Sequence, residues 1–367
     1  MSKQVNTISR FDWVLVALVL MLMCIGMLNL YSSSVALKEG LHLTQGIWLL
    51  LGAGIAGAIS VLDYRVFERW SYTIYGVVVF LLFLVFIAGT RLNGSQRWLN
   101  LGMFLLQPSE LMKPAIILAT ARFFCDRPHN SSGNSLLDLR KPFLLLSVPA
   151  LLILMQPDLG TTLMVVFIFF TIALFEGITI RSQIALVSTT ILSAPLMWLF
   201  VLKTYQKSRI LSFLGLEKDP YGPGWQVRQS LIAFGSGGLS GKGFLSGTQV
   251  QMGFVPYHES DFAAVNWAEE HGLIGMMLLI GVYIALIAWA LHISRSARDR
   301  FGMLVAVGVA SMIFWHVVVN LSMVLGMLPV VGLTLPLLSY GGSSVITVMI
   351  GIGLLMNISL RRHLNRR

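Results

Sequence analysis

Apolar runs of about 20 residues recur along nearly the whole chain, and that recurrence limits the fold more than any other feature. Each run is long enough to cross a roughly 30 Å hydrocarbon layer as a helix. Composition agrees. Of 367 residues, 56% are hydrophobic and 11% charged, with a mean hydropathy of +0.78, whereas soluble domains carry about 25% charged residues. Weak alternation and abundant Leu, Ile and Met argue against a membrane β-barrel. The expected fold is therefore an all-α integral membrane protein, one polytopic domain over residues 1–367.

The pattern predicts about ten transmembrane helices, near 12–33, 43–62, 71–89, 108–124, 142–156, 160–178, 183–204, 263–293, 303–326 and 335–360. Between the fifth and sixth, Pro157 and Asp158 leave room only for a very tight turn. The net charge of +10 does not point to nucleic acid, because the cations lie in short segments between apolar runs, where they set orientation. With the N-terminus in the cytoplasm, the cytoplasmic segments collect cations from Lys3, Arg10, Arg65 and Arg69 through to Arg361, Arg362, Arg366 and Arg367. The short outer loops hold only Lys38, Arg91 and Arg97. Both termini are thus expected inside. Cys24 and Cys125 are too far apart for a disulfide framework or a zinc spacing. The histidines show no ligand spacing.

Residues 205–262 break the pattern as one long extracytoplasmic loop between the seventh and eighth spans. Loops beyond about 12–15 residues are uncommon unless functional or disordered. Trp225, Leu231, Ile232 and Phe234 argue against disorder, and Pro223 to Phe234 reads as a short amphipathic helix at the interface. The glycine-rich text Gly235 to Gly243 follows and permits left-handed turns. The loop ends on Asp261, just before a span that carries Glu269 and Glu270. A polar loop ending in an acid at a membrane boundary is where a membrane enzyme would place its chemistry.

Several residues have both a bland and a sharper reading. Glu110 and Lys113 lie three apart on one helix face, inside a span where a lysine costs about 2.5–3.5 kcal/mol to insert. They form either a structural ion pair or part of a site for an anionic ligand. Asp261 is either a helix cap or a general base. Glu269 and Glu270 belong either to a buried network with cations and His271 or to the site itself. Arg97, Lys203, Lys207, Arg209, Lys218, Arg228 and Lys242 contact either lipid headgroups or a phosphate group. Lys242 stands out because Gly241 and Gly243 let the backbone approach a ligand. His316 and Asn320 share a face and suit interhelical hydrogen bonding. Ser339 and Ser343, at the entry to the tenth span, serve either close helix packing or a backbone open to a cavity.

As a set these motifs resemble the SEDS family of shape, elongation, division and sporulation proteins. The match is carried, in order along nearly the whole chain, by Gln96-Arg97-Trp98, Gln107-Pro108-Ser109-Glu110, Lys113, Gln156-Pro157-Asp158-Leu159-Gly160-Thr161, the glycine-rich loop, Asp261-Phe262, Glu269-Glu270, Leu328-Pro329-Val330-Val331-Gly332 and Leu338-Ser339-Tyr340-Gly341-Gly342-Ser343. The resemblance implies a peptidoglycan glycosyltransferase that polymerises lipid II during cell elongation. It would act on the outer face of the bacterial inner membrane, beside a class B penicillin-binding protein and other membrane proteins of the elongation machinery. It puts the essential acid on Asp261 and the intramembrane pair on Glu110 and Lys113, with Asp158, Glu269, Glu270, Ser339 and Ser343 in support. Arg97, Lys242 and Arg209 are the cations expected to meet a diphosphate. A divalent cation, Mg or Mn, is compatible with this chemistry, although no ligand cluster announces one. The sequence departs from the family text Pro-Glu-x-His-Thr-Asp-Phe, reading Pro256-Tyr257-His258-Glu259-Ser260-Asp261-Phe262, so the family's Glu and His roles are not carried to Glu259 and His258. The other functions weighed are a lipid II flippase and a non-catalytic scaffold for cell-wall synthesis.

Overall fold

The computed structural model describes residues 11–35, 40–92, 95–100, 102, 104–127, 133–216 and 222–362. Lys3, Arg10, Lys38, Lys218, Arg366 and Arg367 lie outside the described residues. A helix covers most of each range where the hydropathy pattern predicts a span, but the last begins at Gly342, and 335–341, expected inside it, is a non-helical segment ahead of it. In chain order the helices before the long loop are α1 (Trp13–Val35), α2 (Leu41–Val61), α3 (Tyr64–Ala88), α4 (Pro108–Cys125), α5 (Leu136–Met155), α6 (Leu159–Glu176) and α7 (Ile180–Leu196). The last continues as a π-helical turn, Met197–Val201. After the loop come α11 (Ala263–Ser296), α12 (Arg300–Val324) and α13 (Gly342–Arg361). By length and composition seven of these, α1, α2, α3, α6, α11, α12 and α13, can cross a membrane. The others are shorter or more polar: α4 holds Glu110, Lys113 and Arg122, and α5 begins with Asp138, Arg140 and Lys141.

The core is the set of helices that lipid does not reach. Nearly every side chain of α4 from Pro108 to Ala121 is buried, and α12 and α13 bury most of their surface. Around them α3 and α6 pack on α4, α11 on α12, and α2 on α13. Gly353 of α13 lets α2 approach closely, since a Cβ there would lie 2.9 Å from the backbone of Ala56. Leu50, Phe80, Ile87, Leu192 and Phe200 are exposed on the outside. Apolar surface that continuous is tolerated only against lipid or another protein.

The described residues of the long loop include helices α8 (Thr204–Phe213), α9 (Pro223–Gly237) and α10 (Thr248–Gln251). The predicted helix at Pro223–Phe234 is therefore present, and it packs on α11. Three short strands were not anticipated from sequence. They are β1 (Thr90–Leu92), β2 (Ser95–Asn100) and β3 (Leu105–Leu106), and they form one antiparallel sheet between α3 and α4. The sheet places Arg97.

Candidate active site

Two polar centres emerge, and the sequence-predicted residues divide between them. The first surrounds Asp261. Its carboxylate is partly accessible and sits in the turn that leads into α11. The cap position of α11 belongs to Phe262, which makes no side-chain cap hydrogen bond, so Asp261 is not spent on capping. Burial pushes its pKa up to about 6; the Arg209 guanidinium pulls it down, Glu259 and Asp158 push it up, and Arg97 pulls it down. Lost hydration of the charged form outweighs the two arginines.

The segment Val330 to Thr334 organises this centre. The Val330 carbonyl accepts a hydrogen bond from Arg209 Nη1 at 2.9 Å. The Val331 carbonyl presses on the start of α6, where a Cβ on Gly160 would lie 2.6 Å away. Gly332, at φ +73°, lies against the Asp261 carboxylate: a Cβ there would stand 3.4 Å from Oδ2 and 4.0 Å from Arg209 Nη1. The carbonyls of Leu333 and Thr334 accept from Asn320 and His316 of α12, respectively. A cavity of about 100 Å3 opens beside Arg209, between α8, α9 and the turn at Gly326–Val330.

Asp158 is brought in from another side. Its Oδ1 caps α6 by accepting from the Thr161 amide at 3.2 Å, and its Oδ2 accepts from Gln107 Nε2 at 3.1 Å. Arg97, on β2, donates Nε–H to the Gln156 carbonyl at 3.1 Å and Nη2–H to the Pro157 carbonyl, and lies 3.9 Å from Asp158 Oδ1. The tight turn expected at Pro157–Asp158 is thus held by an arginine. Ser343 Oγ accepts from the Gln107 amide at 3.2 Å, and Ser339 Oγ accepts from the Leu335 amide at 2.8 Å. Both serines fix loops around the site.

The Glu110–Lys113 pair lies in the protein interior. Lys113 Nζ is 2.7 Å from Glu110 Oε1, and its side chain is fully buried. The same ammonium reaches His316 Nε2 at 3.0 Å. Sequence reasoning placed His316 on a bonding face but did not give it this partner.

The second centre is a break in α11. At Gly272 (φ 61°, ψ −159°) the helix leaves helical geometry. Such a break frees backbone groups that lipid cannot satisfy. The glycine-rich loop supplies their partners. The amides of Lys242 and Gly243 donate to the carbonyls of Glu269 and Glu270, each at 3.0 Å. The amides of Leu273 and Ile274 donate to the carbonyls of Gly238 and Leu239, at 2.9 and 3.1 Å. Gly241, at φ +80°, allows the approach, since a Cβ there would lie 2.1 Å from the Glu270 carbonyl oxygen. Lys242 Nζ is 2.5 Å from Glu269 Oε1, which also accepts from the Gln249 amide at 2.9 Å. Glu270 accepts from Ser32 of α1. Lys242 and Glu269 therefore tie the glycine-rich loop and α10 to α11, and Glu270 ties α11 to α1.

Among the described residues, no three His, Cys, Asp or Glu side chains converge as a metal-holding group. The acids at Asp261, Glu259 and Asp158 do not by themselves build a site for Mg or Mn.

The sequence profile of the FtsW, RodA and SpoVE family, described as cell cycle proteins, matches residues 12–364. The chain belongs to that family. It is 39% identical over 318 residues to peptidoglycan glycosyltransferase MrdB of Escherichia coli K12, covering 86% of this chain and 84% of that protein. It is 30% identical to peptidoglycan glycosyltransferase RodA of Treponema pallidum, covering 98% of this chain and all (100%) of that one. A solved structure of a peptidoglycan synthase complex that coordinates polymerization and crosslinking contains a chain 32% identical to this one. The two superpose with a TM-score of 0.83 over 97% of this chain and 99% of that one. The rod shape determining protein RodA of Thermus thermophilus superposes with a TM-score of 0.71 at 29% identity, over 99% of this chain and 100% of that one. Membership of this family and the apolar helices together make the chain a multi-pass protein of the bacterial inner membrane.

Proposed function

We propose that this chain polymerises lipid II into glycan strands with Asp261 as the general base, working on the outer face of the inner membrane. The chain is a peptidoglycan glycosyltransferase of the FtsW, RodA and SpoVE family. The observation that carries the mechanism is a carboxylate with a pKa raised to about 6, standing between arginines on separate elements. A base is most effective when its pKa approaches the working pH. In the reaction Asp261 takes the proton of the acceptor's 4-hydroxyl as that oxygen bonds to the donor's anomeric carbon. The anomeric carbon's bond to the diphosphate breaks, and polyprenyl diphosphate leaves. One displacement of this kind inverts the anomeric centre and needs no covalent enzyme intermediate.

Charge develops on the departing diphosphate, so cations placed beforehand lower the barrier. Arg209 and Arg97 serve that role, since both act on Asp261 from α8 and β2. Lys242, committed to Glu269, holds the loop rather than the ligand. An apolar groove of about 260 Å3 between α5 and α6, lined by Phe143, Leu146, Leu151 and Val166, offers a hydrocarbon chain a track below the Asp158 turn. The distribution of Lys and Arg supports an orientation with both termini in the cytoplasm and Asp261 on the opposite side. A class B penicillin-binding protein crosslinks the product beside it, as the synthase complex suggests.

The test is polymer formation by the purified protein given lipid II, with and without its cognate class B penicillin-binding protein. Wild type should yield strands and folded Asp261→Asn none. Equal strands from both would remove Asp261 from the chemistry.

A further inference from the structure

The Asp261 carboxylate works only if its short turn holds still, yet among the described residues no side chain donates a hydrogen bond to that carboxylate. What is gripped is the backbone of the turn. Asn320, fully buried on α12, donates from Nδ2 to the Asp261 carbonyl at 2.8 Å and, with its second hydrogen, to the Leu333 carbonyl. One carboxamide therefore joins the turn carrying Asp261 to the segment that lies against its carboxylate at Gly332 and takes Arg209 at Val330. The amide orientation is fixed, because rotating it would point an oxygen at two carbonyl oxygens. The Asn320 Oδ1 atom has no hydrogen-bond partner among the described residues, so the position is kept for its two donors. One turn earlier, His316 Nδ1 donates to the Thr334 carbonyl at 2.9 Å and holds the same segment from the same helix face.

From this geometry we infer that Asn320 is a positioning residue for the polymerisation reaction, setting where the Asp261 carboxylate stands relative to Arg209 and the acceptor hydroxyl. The inference rests on Asp261 being the base. It differs from a packing role because it predicts which kinetic quantity moves. A misplaced base slows the chemical step without weakening the binding of lipid-linked substrate. A misplacement of about 1 Å costs on the order of 100-fold in rate. The charged groups around the carboxylate are Arg209 on α8, Glu259 on its own turn, Asp158 at the start of α6 and Arg97 on β2. Burial is the largest cause of its raised pKa, so a turn that relaxes toward water releases that shift first.

The experiment compares wild type, Asn320→Leu, Asn320→Asp and Asp261→Asn as full-length protein with its penicillin-binding partner. Polymer formation from lipid II is followed as a function of substrate concentration and pH, together with the thermal midpoint. The expected result for Asn320→Leu is a kcat lowered by about 10- to 100-fold with KM within about twofold. The acidic limb of its pH profile should also move below the wild-type position near pH 6. Asn320→Asp, of the same shape, is judged by the same criteria if the leucine variant does not fold. An unchanged kcat overturns the inference. So does a lowered kcat with the acidic limb left in place, since that marks a structural role only. If Asp261→Asn is inactive while Asn320→Leu behaves as wild type, this inference fails alone; if Asp261→Asn is fully active, the base assignment fails and takes the inference with it.

Discussion

Lys113 and His316 meet at 3.0 Å in the interior, and the contact fixes the state of the imidazole. His316 Nδ1 donates to the Thr334 carbonyl, so Nε2 is the acceptor for the ammonium and the ring is neutral. Lys113 thereby serves two buried partners, Glu110 and His316. Lys113→Met should leave Glu110 as an unpaired buried carboxylate and cost about 3–5 kcal/mol of stability. Adding Glu110→Gln should recover most of that loss, because removing both charges also removes their desolvation penalty. Thermal unfolding of the two purified variants measures this. Equal midpoints for the single and double variants would show that the pair is not what holds the helices.

The raised pKa of Asp261 has a sign that links activity to stability. In the proposed mechanism the ionised form is the base, so activity should fall as pH drops through about 6. Stability runs the other way. The folded protein binds this proton more tightly than the unfolded chain, whose aspartate titrates near 3.8. The penalty is therefore absent below about pH 4, grows as pH rises through the folded pKa, and is complete above it. Asp261→Asn removes it. At pH 8 that variant should be inactive yet more stable than wild type, by at most about 3 kcal/mol. At pH 4 the two should unfold together. A variant that is less stable at pH 8 would contradict the burial that raises the pKa.

The helices were legible because lipid insertion depends on the summed hydrophobicity of a run, which sequence states directly. The pairing of Glu110 with Lys113 was legible for the same local reason, a three-residue spacing on one face. The parts that depend on distant segments were not. Arg97 sits on strands of two to six residues, too short for a periodic signal. Nothing local to Gly272 announces a break, since Gly52, Gly54 and Gly57 sit inside an unbroken α2 and a lone glycine after Glu269, Glu270 and His271 looks no different. Lys242 flanked by glycines reads as a ligand cradle until the freed carbonyls of Glu269 and Glu270 are seen to need its neighbourhood. The importance of Val330 to Thr334 lies in its carbonyls and in a missing Cβ, and neither depends on a side chain that a sequence would display.

Gly160 tests that segment. A methyl group there would meet the Val331 carbonyl oxygen at 2.6 Å, and backbone on both sides limits relief. Gly160→Ala should destabilise the protein by about 1–3 kcal/mol and displace the peptide next to Gly332. Polymer yield should fall by more than the loss of folded protein explains. Gly54→Ala in α2, where a Cβ meets nothing within 4 Å, is the matched control and should leave both yield and thermal midpoint unchanged. Similar behaviour of the two variants would deny the 330–334 segment its part in the site.

Lys242 stood ahead of Arg209 as a sequence candidate for a diphosphate, and the proposed mechanism reverses that order. Arg209 donates to Val330 beside the Asp261 carboxylate, and its guanidinium is a planar fork, the geometry that suits phosphate oxygens. Arg209→Lys keeps the charge but loses the fork, and kcat should fall by about 10- to 100-fold with little change in thermal midpoint. Lys242→Met removes the cation from Glu269, whose side chain is fully buried. That carboxylate retains the Gln249 amide, and the Lys242 side chain is 26% exposed, so the cost is smaller than for a sealed pair. The expected loss is about 1–3 kcal/mol, with KM unchanged in the folded fraction. Measuring the midpoint and KM of both variants separates the roles. A Lys242→Met protein with a normal midpoint and a raised KM would return Lys242 to the substrate site and leave the break at Gly272 held by backbone bonds alone.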